Sequence, residues 1–114
     1  MIFYNKKPNI IQNLKALSAL MGVSSHRNAQ IRAKAAYYID QLVSGISNIV
    51  MMKECESLIK ATAKFLGEPA IEARVSGKSI LFQLAAAGAL DENTLGRLLT
   101  DHEFNVVKDT LAKV

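Results

Sequence analysis

Two stretches of the chain read alike when set one beneath the other: Ser24-Ser25-His26-Arg27-Asn28-Ala29-Gln30-Ile31-Arg32 and Leu66-Gly67-Glu68-Pro69-Ala70-Ile71-Glu72-Ala73-Arg74. Each passes through a polar loop into a helix start and reaches an arginine at the same depth, and the two arginines stand 42 residues apart. The register extends outward from both stretches. Leu17 aligns with Ile59, Val23 with Phe65, Ile39 with Leu81 and Leu42 with Leu84. Apolar residues matched in this way imply successive helical hairpins that bury equivalent faces.

A hairpin repeat of roughly 40 to 47 residues is the period of HEAT and armadillo arrays, whereas tetratricopeptide and ankyrin repeats run near 34 and 33. The fold class expected is therefore all-α, a HEAT-like α-solenoid of about three hairpins and six helices. The spacing of Ile10, Leu14, Leu17 and Met21 predicts helix one over about Asn9 to Met21, with Pro8 where helices begin. Asn28 is placed to cap helix two, which carries Ile31, Ala35, Ile39, Leu42 and Val43 and ends near Ser44-Gly45. Helix three is expected from Ser47 or Asn48 to Phe65, with Val50, Leu58, Ile59 and Leu66 apolar and Gly67 as its stop. Helix four opens at Pro69 and runs through Ile71, Val75, Ile80, Leu81 and Leu84 to about Ala87.

The remainder reads as a shorter third hairpin. Asp91 can cap a helix containing Leu95, Leu98 and Leu99, and Asp101 or His102 precedes a last helix with Phe104, Val107 and Leu111. The hairpins span about 9–45, 47–88 and 91–114, and the whole chain is expected to be one segment of a larger array. The last hairpin lacks the repeated arginine, which suits a capping position. A solenoid segment leaves apolar ends uncovered, so weak self-association through those ends is expected.

Composition agrees with this class. Hydrophobic residues make up 50% of the sequence but aromatics only 6%, with no Trp, which favours helices packed through small side chains over a sheet. Fourteen basic and ten acidic residues give a net charge of +4, a modest excess that suits an acidic partner without the dense basic run of a nucleic-acid arm. Cys55 is the single cysteine, and His26 and His102 are far apart, so neither a disulfide nor a zinc cluster is expected. The opening residues Met1 to Pro8 lack the apolar run of a signal peptide, and no uncharged apolar stretch reaches the roughly 18 residues of a bilayer span. A cytoplasmic protein with no membrane attachment is the expectation.

No residue constellation points to catalysis or a cofactor. Ser76-Gly77-Lys78-Ser79 resembles the end of a phosphate-binding loop, but Glu72 stands where that pattern needs a glycine and no strand precedes it. Gly77 is better read as a helix position that lets a neighbouring helix come close. Cys55 is expected mid-helix among Lys53, Glu54 and Glu56, where carboxylates raise a thiol pKa and oppose thiolate formation. The acidic residues read as caps and exposed pairs, with Glu68 and Glu72 complementing the helix-four dipole. The chain is expected not to be an enzyme.

Arg32 and Arg74 have two readings. An arginine in this place can hydrogen-bond loop carbonyls or pair with an acid of the adjoining repeat. It can also join Arg27 and Lys78 in a row of positive charge along the edge where successive loops lie side by side. Such a row would steer an acidic protein surface. Nucleic acid fits less well, because the row is short and no aromatic side chains are interleaved to stack bases.

Residues 24–32 followed by 66–78, the latter ending Val75-Ser76-Gly77-Lys78, resemble the paired loops in the second half of a TOG domain. The stretch from Asp91 to Val114 is similar to that domain's end, particularly in the crescerin or ciliary-tip branch. The resemblance implies six HEAT repeats in the complete domain, of which this chain would be the carboxy-terminal half, and tubulin as the protein partner. It implies contacts at His26, Arg27 and Asn28 in one loop and at Arg74 and Lys78 around the next, with Arg32 beside them. It further implies a cytoskeletal location at microtubules, a cilium or a centrosome. Two other functions fit the residues: a generic HEAT adaptor, which would show a binding groove on the other side of the array, and a helical-repeat nucleic-acid module.

Overall fold

The computed structural model describes residues 10–113, with side chains from Leu14 onward. These residues form α1 (Ile10–Val23), α2 (Ala29–Ser44), α3 (Cys55–Leu66), α4 (Ile71–Ala86), α5 (Glu92–Leu98) and α6 (Asp101–Ala112), with a 3-10 turn at Ile49–Met51. Among the described residues the chain is all-helical. Pro8, Asn9 and the Ile10 side chain, which the first helix was expected to use, lie outside them.

The bounds of α2 and α4 obey the sequence register at both ends: Ala29 and Ser44 each lie 42 residues before Ile71 and Ala86. Asn28 caps α2 as expected, its side chain accepting from the N–H groups of Gln30 at 2.9 Å and Ile31 at 3.2 Å. The matching position, Ala70, has no capping side chain, yet α4 opens at the equivalent residue, Ile71, and not at Pro69. Asp91 caps α5 through Thr94. Thr100, and not Asp101 or His102, caps α6, forming a reciprocal capping box with Glu103.

Helix three begins later than the spacing predicted. The Met52 N–H donates to the Ile49 carbonyl and closes a 3-10 turn, after which Met52 is extended and α3 opens at Cys55. Ile49 is buried while Val50 and Met51 are exposed, so one anchoring side chain, and not a helical stripe, fixes the segment. Cys55 accordingly stands in the first turn of α3 and not mid-helix.

Helix four turns differently from the expected stripe. Ile71 and Val75 are 64% and 61% exposed, while Ala73, Gly77, Ile80, Leu81 and Leu84 are buried. Apolar residues lie nearly all round this helix, so spacing alone does not choose its buried side. Small residues decide it. A Cβ on Gly77 would sit 3.0 Å from the Phe65 Cβ and 3.4 Å from the Leu66 amide nitrogen, so the missing side chain lets α3 close against α4.

The core is continuous, with Leu17, Ile39, Leu58, Phe65, Ile80, Leu81 and Leu84 at its centre. Helices α1 and α2 pack as one pair and α3 and α4 as another, and α2 lies against α4. Helices α1 and α3 meet only lightly. The third hairpin departs from this order, since α6 packs mainly on α3. No described helix is long and apolar enough to cross a membrane.

Candidate functional site

The loop between α1 and α2 is held by its own polar groups. Ser24 donates its hydroxyl to the Met21 carbonyl at 2.6 Å, and the Asn28 N–H donates to His26 Nδ1 at 3.0 Å. Arg32 lies one turn into α2, and its guanidinium turns back. Its Nη1 donates to the His26 carbonyl at 2.7 Å, while Nε and Nη2 donate to the two carboxylate oxygens of Glu68 at 2.6 and 2.9 Å.

Glu68 belongs to the next hairpin's loop, so this forked pair ties one loop to the other. It is buried and serves as the acid of the adjoining repeat that the pairing reading of Arg32 calls for. The hydrogen-bonded carboxylate holds the Arg32 guanidinium protonated more firmly than usual.

Arg74 repeats half of this arrangement. Its Nη1 donates to the Glu68 carbonyl at 3.1 Å, as Arg32 donates to the carbonyl of His26. His26 and Glu68 are themselves 42 residues apart. The register seen in the sequence therefore reaches individual hydrogen bonds: in each loop an arginine reaches back six residues to a carbonyl and fixes the loop's shape.

The structure thus brings His26, Arg32, Glu68 and Arg74 together, with Asn28 capping beside them. Arg27 stands exposed on the first loop. Lys78, also exposed, sits one turn beyond Arg74 and lines a shallow hollow with Val75, Ser79 and Phe82. Among the described residues neither Arg27 nor Lys78 enters an ion pair. Glu68 neutralises Arg32, and positive charge near the loops is carried by Arg27, Arg74 and Lys78 and also by the exposed Lys60 and Lys64, which line a hollow with Ser24 and Ser25.

Two features escaped the sequence reading. Asp40 accepts hydrogen bonds from Ser79 Oγ and Gln83 Nε2, both at 2.7 Å, tying α2 to α4. Its position next to the buried Ile39 was the available signal. The second is an open apolar hollow of about 530 Å³ between α2 and α4, lined by Ala33, Lys34, Tyr37, Tyr38, Glu72 and Ser76 among others. Tyr37 and Tyr38 are 53% and 54% exposed and meet edge to face at 5.4 Å.

Elsewhere the chemistry is quiet. Burial pushes the Cys55 thiol up, and the nearby Glu56 adds to the shift. Glu56 pairs with Arg97 at 2.6 Å on the surface, which lowers the carboxyl's pKa. Among the described residues no group of His, Cys, Asp and Glu is placed to hold a metal ion. Comparison with known proteins returned no matching family model, no matching curated protein and no matching solved structure.

Proposed function

We propose that this chain is a HEAT-like α-solenoid segment that works without catalysis, presenting the loops within its hairpins to an acidic protein surface. Tubulin is the partner to which the TOG-like loop residues point. The observation that carries this reading is the repeated bond from Arg32 and Arg74 to the carbonyl six residues earlier. Two loops braced alike and tied by Glu68 form a rigid edge, and preorganised loops lose little entropy on binding. On that edge His26, Arg27 and Asn28 would meet the partner, with Lys78 beside them. Arg32 would serve as a brace, and Arg74 would divide its donors between bracing and contact. The departure of α6 onto α3 suits a terminal hairpin that closes the array.

The test is titration of fluorescent tubulin dimer with the chain and with Arg27→Ala/Lys78→Ala, whose fold is checked by circular dichroism. Saturable binding by the wild type, weakened about tenfold or more in the variant and reduced by salt, is expected. Undiminished binding by the folded variant would remove these residues from the mechanism, and absence of binding would remove tubulin.

A second reading, the adaptor that binds through its other side, draws support from the apolar hollow between α2 and α4.

A further inference from the structure

Between α1 and α3 lies an open hollow of about 310 Å³ whose charged lining is of one sign. Lys60 and Lys64 line it from α3, Ser18 and Gly22 from α1, and Ser25 and Ser57 add hydroxyls. No carboxylate lines it, in contrast to the α2–α4 hollow, where Lys34 and Glu72 both stand. In the 42-residue register Ser18 corresponds to Lys60 and Gly22 to Lys64. The equivalent positions of α1 thus supply a hydroxyl and a bare backbone where α3 supplies two ammonium groups.

Folding does not account for this lining. Like charges four residues apart on a helix oppose each other, and among the described residues neither lysine enters an ion pair. Lys64 complements the α3 dipole from the last turn. Lys60 stands before that turn, and Glu56, one turn earlier still, is held by Arg97. At Gly22 an added Cβ would meet nothing within 4 Å, so packing does not require the glycine that keeps the hollow open.

We propose that this hollow receives an extended acidic peptide segment of the partner, with carboxylates on alternate residues. Charge and spacing select that class. Lys60 and Lys64 are one turn apart, about 6 Å along the helix, and in an extended chain alternate side chains share a side at about 7 Å. Two such carboxylates meet two ammonium groups, and serine hydroxyls can donate to the remaining oxygens. Ser25 belongs to the loop that carries Arg27, so the hollow continues the loop edge onto α3. The inference rests on the reading of that edge as a surface for an acidic protein.

The test follows amide shifts of the labelled intact chain during titration with a synthetic peptide of alternating glutamate and threonine. Saturable shifts are expected at Gly22, Ser25, Ser57, Lys60 and Lys64, and none with the peptide carrying glutamine for glutamate. Lys60→Ala/Lys64→Ala should weaken binding about tenfold. Gly22→Met, which leaves the charge unchanged and fills the hollow, should weaken it several-fold. Lys34→Ala/Lys53→Ala, with the same loss of charge elsewhere, should leave it unchanged.

Absence of saturable shifts overturns the inference, as does equal weakening by the two double-lysine variants, which would reduce the effect to net charge. Shifts at these amides with inorganic phosphate but not with the peptide also overturn it. Tubulin bound through Arg27 and Lys78, but indifferent to Lys60→Ala/Lys64→Ala and undisplaced by the peptide, overturns it while the loop reading stands. Peptide bound in the hollow without binding of tubulin sustains it and removes tubulin as the partner.

Discussion

Arg32 shows what one residue does in this chain. Each of its three guanidinium nitrogens donates, two to Glu68 and one to the His26 carbonyl, and the pair formed with Glu68 is shielded from solvent far more than the surface pair of Glu56 with Arg97. Removing one partner of a shielded pair leaves the other desolvated and unmatched, whereas an exposed pair is replaced by water. Glu68→Ala should therefore lower the melting temperature clearly more than Glu56→Ala, as differential scanning calorimetry would show. Equal losses would mean that the loop brace contributes no more than a surface contact. The arginine register was legible in the sequence because the loops align. Its acid was not, because Glu68 aligns with His26, whose backbone carbonyl and not its side chain has the matching role.

Cys55 yields a second expectation at the same scale. With its thiol raised above the ordinary range by burial and by Glu56, less thiolate is present at a given pH than in a free cysteine. Alkylation by iodoacetamide at mildly alkaline pH should be slow in the folded chain, shift to higher pH, and quicken on unfolding in urea. Ordinary thiol reactivity in the folded state would contradict this placement.

At the scale of elements, two glycines inside helices separate intrinsic propensity from packing. Gly96 lies in α5 with nothing within 4 Å of an added Cβ, so Gly96→Ala should stabilise by about 0.5–1 kcal/mol. Gly77 faces the Phe65 Cβ and the Leu66 backbone, neither of which moves without shifting α3. Gly77→Ala should be destabilising by about 1 kcal/mol despite the same propensity gain, since overpacking typically costs 1–3 kcal/mol. Urea denaturation of the two variants gives both signs, and the same sign for both would break the distinction.

Helix existence and the Asn28 and Asp91 caps were legible because each depends on local chemistry, and the close approach at Gly77 because a glycine inside a helix marks where a neighbour can come near. The start of α3 and the buried side of α4 were not. Both were settled by tertiary contacts, one by the anchoring of Ile49 and the other by small residues winning the helix interface over Ile71 and Val75.

Over the whole molecule, the braced loops gather on one edge, while the flank of α2 and α4 offers the hollow bounded by Tyr37, Tyr38 and Glu72. The edge was visible in the sequence as repeated loop residues. The flank was not, because Tyr37 and Tyr38 stand outside the register and Val75 reads equally well as core. The two surfaces differ in character: the edge carries charge and braced loops, the flank an open apolar hollow.

Amide chemical shifts recorded during titration of the labelled chain with tubulin dimer locate the contact directly. Line broadening is expected at Ser25 to Asn28, at Glu68 and Ala70, and around Arg74 and Lys78, with the flank at Tyr37 and Phe82 unaffected. Broadening centred on Tyr37, Val75 and Phe82, or none at any residue, would contradict the claim that the braced loops are the surface this chain presents.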